Sequence, residues 1–255
     1  MGRTGLAALA AVVGAVLVLA GVGAWLLLRD TADPVTVDEA VTSFRTETEP
    51  SPDGRSPIPE GVYVYATHGF ERTDALTGVT HRYPAWSTVT VTATDCGVSL
   101  LWRVLEGRST EWVFCVSDDG WELRSQDERH SFFGRTERTA YACEDTLIRP
   151  LPLRSERWSV SCSTDSADER GIVRYVSPGL EKIGGKTVQT EHLRKRTAFV
   201  GEIRGFARHD WWFDRRTGLP VRIEMVTRTT NDSPVGDVVY EERVTLRLAS
   251  LEPRR

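Results

Sequence analysis

Residues 87–115 read STVTVTATDCGVSLLWRVLEGRSTEWVFC. Thr88, Thr90, Thr92 and Thr94 alternate with Val89, Val91 and Ala93. That period of two puts successive side chains on opposite faces of a β-strand. Beyond Asp95 the pattern changes: Val98, Leu100 and Trp102 oppose Leu101 and Leu105, so both faces are apolar. A strand of that kind is covered on both sides. The stretch between Cys96 and Cys115 has its midpoint near Leu105-Glu106, just before Gly107. Antiparallel pairing about that point brings the two cysteines opposite one another.

Working outward from Gly61 to Leu251, the same signal recurs. VYVYATH, GWELRS, RWSVSCS, GIVRYVS, HDWWFD and LPVRIEMVTRTT are short runs rich in β-branched and aromatic residues. Gly, Asp, Asn and Pro punctuate them at short intervals. No helix-length periodic segment interrupts the series, which favours sequential antiparallel pairing over βαβ units. The expected fold is mainly β. One strongly twisted antiparallel sheet of roughly ten strands curls into a half-barrel or barrel over residues 61–252.

The four cysteines are Cys96, Cys115, Cys143 and Cys162, separated by 19, 28 and 19 residues. No CxxC pair suggests a zinc tetrathiolate. The second pair also encloses a turn-like centre, Pro150 and Pro152. Two equal, internally centred spacings favour Cys96–Cys115 and Cys143–Cys162 among the three connectivities; four free buried thiols are the alternative. Disulfides persist outside the reducing cytosol.

Residues 6–28, LAALAAVVGAVLVLAGVGAWLLL, carry no charge over 23 positions. At about 1.5 Å rise per residue such a helix spans about 34 Å, enough to cross a bilayer core. The run is longer than a signal-peptide core. Cleavage after Val22-Gly23-Ala24 would leave Trp25-Leu26-Leu27-Leu28 on the mature chain, so it reads as an uncleaved transmembrane anchor after a cytoplasmic tail, 1–5. Flanking Arg3 and Arg29 nearly tie as topology signals. The cysteines orient the anchor, with the long side outside the cytoplasm. Residues 29–60 read as a stalk. Thr36 and Glu39 form a capping box for a short helix over 37–45, with Val37, Ala40, Val41 and Phe44 on one face, and a linker with four prolines follows.

The net charge of -4 implies neither nucleic acid nor acidic lipid as a partner. Arg outnumbers Lys 29 to 3. With the arginines dispersed along the chain, the bias reads as the codon usage of a GC-rich genome. His68, His81, His130, His192 and His209 show no metal-binding spacing and no HExxH. His209-Asp210 with Asp214 does not share one strand face. No GxSxG or SxxK occurs. Gly184-Gly185-Lys186-Thr187 lacks phosphate-loop spacing and precedes a strand, so it reads as a hairpin turn. Asp118-Asp119 and Glu241-Glu242 read as solvated charges. No catalytic residue, cofactor or metal is expected.

One segment is more distinctive: Trp212-Phe213-Asp214-Arg215-Arg216-Thr217-Gly218-Leu219-Pro220-Val221-Arg222. Trp212, Asp214, Thr217, Gly218, Leu219, Pro220 and Arg222 resemble the W-x-D-x-x-T-G-L-P-x-R hairpin of the bacterial lipoprotein-carrier superfamily, the LolA/LppX/RseB-like proteins. The resemblance implies an extracytoplasmic half-barrel with helices plugging an apolar concavity, and a lipid or lipoprotein ligand. Two features depart from it: the permanent tether, and a single candidate plug helix over 37–45. The function expected is a membrane-tethered binding or sensing module for an acyl chain or an envelope protein. A ligand-free structural or interaction domain, and an envelope enzyme, are the alternatives.

Overall fold

The computed structural model describes residues 32–47, 56–76, 78–152, 157–232 and 236–255. The expected anchor 6–28, the tail 1–5 and the middle of the proline-rich linker lie outside these residues. Among the described residues no helix is long and apolar enough to cross a membrane.

Helix α1 (Val37–Glu47) precedes thirteen strands: β1 (Gly61–Thr73), β2 (Val79–Arg82), β3 (Trp86–Thr94), β4 (Gly97–Leu105), β5 (Arg108–Ser117), β6 (Gly120–Phe132) and β7 (Arg135–Pro150), then β8 (Arg157–Ser163), β9 (Ala167–Ile183), β10 (Lys186–Gly201), β11 (Ile203–Asp214), β12 (Pro220–Asn231) and β13 (Val238–Leu248). All pairings are antiparallel. β2 lies against Phe70–Thr73 of β1 and β3 against Gly61–Ala66, so these two share one stave of the wall. From β3 each strand pairs with the next, and β13 returns to β1 from Tyr65↔Leu248 to Thr73↔Tyr240. The sheet therefore closes into a barrel of twelve staves. The half-barrel alternative is replaced by full closure, which pairs the first long strand with the last and leaves only the short β2 bonded on one side.

A barrel this wide needs bulky residues to fill it. The largest fully buried side chains are Trp102, Trp112, Trp121, Trp211, Arg108 and Tyr63. One end of the interior is apolar: Leu100, Phe114, Trp121, Ile148, Phe213 and Leu246 belong to a single core cluster. The other end, where β1 finishes and β13 begins, is polar. Closure spreads the core around a ring, and each buried Trp contributes about 5 kcal/mol of burial to it.

Helix α1 forms where the capping box predicts. The Glu39 backbone N–H donates to Thr36 Oγ1 at 3.2 Å, and Thr36 N–H donates to Glu39 Oε2 at 2.8 Å. It extends two residues past the expected end. Ala40 and Val41 pack on Val62, with Val37 and Phe44 beside them. Val62 alternates with the inward Tyr63, so the helix rides on the outer wall. The plug role implied by the carrier resemblance is corrected: interior space is taken by aromatic side chains. The preceding residues are built into the wall as well, with Val35 N–H bonded to Val104 O and Glu106 N–H to Asp33 O.

Both disulfides pair as the spacings suggest. Cys96–Cys115 closes the β4–β5 hairpin and Cys143–Cys162 staples β7 to β8, where the two residues are directly opposite.

Candidate functional site

The polar end of the barrel gathers ionisable groups from five strands. Glu71 on β1 is 1% exposed. Its Oε1 lies 3.0 Å from His81 Nδ1 and its Oε2 lies 3.1 Å from His130 Nδ1. Tyr240 OH donates to the same Oε2 at 3.2 Å. On the far side of His130, Nε2 is 3.6 Å from Glu128 Oε2, and Gln126 Nε2 donates to Glu128 Oε1 at 2.7 Å. Below them Arg108 makes a two-pronged contact with Glu242, Nε to Oε1 at 2.9 Å and Nη2 to Oε2 at 2.8 Å. Tyr83 OH also donates to Glu242. Arg108 stands over the Trp102 ring at 5.0 Å.

Local structure explains the convergence. Gln126, Glu128, His130 and Phe132 alternate along β6 and all point inward. Arg108 follows the two-residue turn Glu106-Gly107, where a register shift between Arg103 and Leu105 re-aims the chain. His81 is held flat against Phe132, with ring centroids 4.8 Å apart.

The electrostatics follow from mutual pairing. Burial by itself would raise the Glu71 carboxyl. The hydrogen bonds from His130 and His81, with the charges of His130 and Arg108, outweigh it and hold Glu71 at about 2. Burial is likewise outweighed at Glu128, which His130 and Arg108 hold at about 2. His130 is pushed down by burial and by Arg108, but Glu128 and Glu71 prevail and raise it above its ordinary value. A second buried group faces across from β9–β11. Lys195 Nζ is 2.8 Å from Glu169 Oε1, and Thr197 Oγ1 donates to the same oxygen at 2.6 Å. Burial, then the Lys195 charge, pushes the neighbouring His209 down to about 4.

The network opens at the barrel mouth into a cavity of about 120 Å³. Phe132, Tyr141, Phe199 and Tyr240 supply its aromatic walls, with Glu128 and Glu137 among its polar lining. Pockets that enclose drug-sized ligands run to about 300–1,000 Å³; this one suits a single polar group and not an acyl tail. The apolar concavity implied by the carrier resemblance is filled. A wider groove of about 930 Å³ lies at the opposite end, beside Arg149, Glu191 and Arg215. Its charges are already spent on one another, with Arg149 Nη2 2.8 Å from Glu191 Oε2.

The distinctive hairpin is a structural device. Asp214 Oδ2 accepts from Thr217 Oγ1 at 2.7 Å, and Asp214 Oδ1 accepts from Arg216 N–H at 3.0 Å. Gly218 has φ +76°, and a Cβ there would lie 2.2 Å from the Trp121 ring. Leu219 and Pro220 are buried, and Pro220 O accepts from Tyr65 OH at 2.5 Å. Trp212 and Arg222 lie on the outer wall, with Arg222 stacked over the Trp212 ring at 4.2 Å and His192 on it at 4.1 Å. His209 and Asp210 split as expected, His209 inward and Asp210 outward on His192 and Arg194. Glu241-Glu242 read as solvated charges, yet both are buried, and Glu242 holds Arg108. No group of residues among those described could hold a metal ion.

Sequence reasoning missed Glu71, His81, Arg108, Glu128 and His130. On β6 the inward Gln126, Glu128 and His130 alternate with the equally polar Asp127, Arg129 and Ser131. No hydropathy contrast marks which set turns inside.

The chain matches no protein-family model and no curated protein sequence. Among solved structures it is similar to the hypothetical lipoprotein YmcC of Escherichia coli K12. The two are 11% identical with a TM-score of 0.30, and the match covers 82% of this chain and 96% of that chain. Likeness at that level carries no argument about family or function.

Proposed function

We propose that the chain is a non-catalytic binding barrel, tethered by residues 6–28 to the outer side of a cytoplasmic membrane, that takes a small cationic group of an envelope molecule at its mouth. One observation carries the reading. The opening between β6, β7, β10, β12 and β13 is ringed by aromatic faces and lined by Glu128 and Glu137, with Glu71 below it on His81, His130 and Arg108, and Glu242 on Arg108. Aromatic faces and ionised carboxylates together favour an ammonium group. Non-catalytic binding is supported by His130, whose two nitrogens both meet carboxylates, leaving neither for a hydroxyl or thiol nucleophile. The two disulfides support an oxidising compartment.

The tether supports the orientation. Ala32 lies beside Leu105, Glu106 and Gly107 at the mouth end. It is four residue steps from Leu28, a reach of about 14 Å at most. An anchor ending at Leu28 therefore turns the mouth toward the headgroup zone. The test uses the full chain in maltoside micelles, which carry no ammonium group, with the His130 imidazole followed by NMR. Titration with choline and with ethanolamine is expected to shift it saturably, at least tenfold more weakly in Glu128→Gln. An equal response to acetate, or an unchanged response in that variant, overturns the reading.

A further inference from the structure

Strand pairing collects the arginines that look dispersed in sequence. On the outer wall of β8–β10, Arg157, Arg174 and Arg194 stand directly opposite one another on three adjacent strands. One row further, Arg196 faces Arg208 across β10–β11. Arg222 faces Arg247 across β12–β13. Like charges placed directly opposite on neighbouring strands are destabilising, and the carboxylates of this wall relieve only part of that repulsion: Glu181 and Glu224 pair with Arg222. Asp210 answers Arg194 and Arg208 at 2.6 and 3.3 Å. Arg157, Arg174, Arg196 and Arg247 form no ion pair among the described residues, and Arg228 stands opposite Glu241, which pairs instead with Arg72 and Arg243. The chain as a whole carries -4, so the basic wall is a local concentration against the overall charge. Phe206 is 50% exposed within it, in register between Ala198 and Arg228.

We infer that this wall is a docking surface for a linear polyanion, a polymer with repeating phosphate or carboxylate groups. The spacing fits. Neighbouring strands lie about 4.8 Å apart and alternate residues on one strand about 6.8 Å apart, so the guanidinium groups form a lattice that an extended chain of regular anions can follow. Guanidinium forks bind phosphate and carboxylate with two parallel hydrogen bonds. The position of the wall selects a polymer over the protein's own membrane. Ala32 leaves the barrel at β4–β5, and four staves separate that point from β10–β11 in either direction. The wall therefore faces away from the tether; this step rests on the anchor reading, while the charge lattice does not.

The full chain in zwitterionic nanodiscs is titrated with polyphosphate and with polygalacturonate over a series of salt concentrations. Both are expected to bind, at least tenfold more weakly in Arg196→Ala/Arg208→Ala. In that variant the slope of log K against log salt falls by about two, a change that altered folding alone does not produce. Arg135→Ala, at the exposed β6–β7 tip, leaves binding unchanged. Absence of polymer binding, equal binding by the double variant, or binding only to nanodiscs containing anionic phospholipid overturns the inference. The choline titration of the mouth reads a different surface, so either proposal fails without the other.

Discussion

Glu71 shows how a buried charge is kept. Its two oxygens meet His81, His130 and Tyr240, with Arg108 nearby. Removing one partner of such a network leaves the others uncompensated, and Glu71→Gln is expected to cost about 3 kcal/mol in urea unfolding at pH 7. The acid side of the stability profile follows from the same contacts. The Glu71 carboxyl is lowered to about 2, so its contribution is complete above its ordinary value of 4.5 and is lost as pH falls from there to about 2. His130 has the opposite sign. Its value is raised, so its contribution is complete below 6.5 and is lost as pH rises through the raised value. His209 is lowered to about 4, and the folded protein therefore loses stability as pH falls from 6.5 toward 4. His209→Gln is expected to shrink the stability difference between pH 7 and pH 4.5 by about 2 kcal/mol, read by urea unfolding at the two values. A variant as pH-sensitive as the parent would show that His209 is not held neutral. Gly218→Ala adds a Cβ 2.2 Å from Trp121 at a left-handed φ. It is expected to cost about 2–3 kcal/mol in thermal or urea unfolding.

At the scale of elements, the hairpins carry most of the order. Each disulfide closes a segment with a sequence separation of 19. Cys143→Ser/Cys162→Ser is expected to lose about 3 kcal/mol by the loop-closure argument, checked by urea unfolding of the oxidised parent and the variant. These hairpins were legible because cysteine spacing and turn residues are local signals. The helix was legible because a capping box is four residues long. The address of the helix on the outside was not, since it depends on Val62 turning outward and on Trp residues far along the chain filling the interior. The site was least legible. Glu71, Arg108, His130 and Glu242 come from four strands, and register brings them together where no sequence spacing records it. The arginine wall escaped for the same reason, because its like-charged neighbours are neighbours only across hydrogen-bonded strands.

For the whole molecule the decisive feature is closure between β13 and β1. A half-barrel with the same strands would present β1 and β13 as edges, whose outward amides exchange with solvent in the folded state. In the ring those amides are bonded. Hydrogen exchange is expected to protect β1 over Tyr65–Thr73 and β13 over Tyr240–Leu248 as strongly as β10 and β11. Rapid exchange confined to β1 and β13 would show an open sheet.

That closure also fixes an order of events. Every other pairing joins strands that are near in sequence, so synthesis can assemble the meander hairpin by hairpin. The seam is different: Tyr65 waits for Leu248, and the segment after β13 extends it, with Val62 N–H bonded to Arg254 O and Arg254 N–H to Val62 O. Until β13 is made, the growing sheet is an open ribbon with two unsatisfied borders, and the loop to be closed is nearly the whole domain. The nascent chain therefore spends its most vulnerable interval just before β13 emerges. A stop before Val238 removes one strand of thirteen and with it the condition for being a barrel.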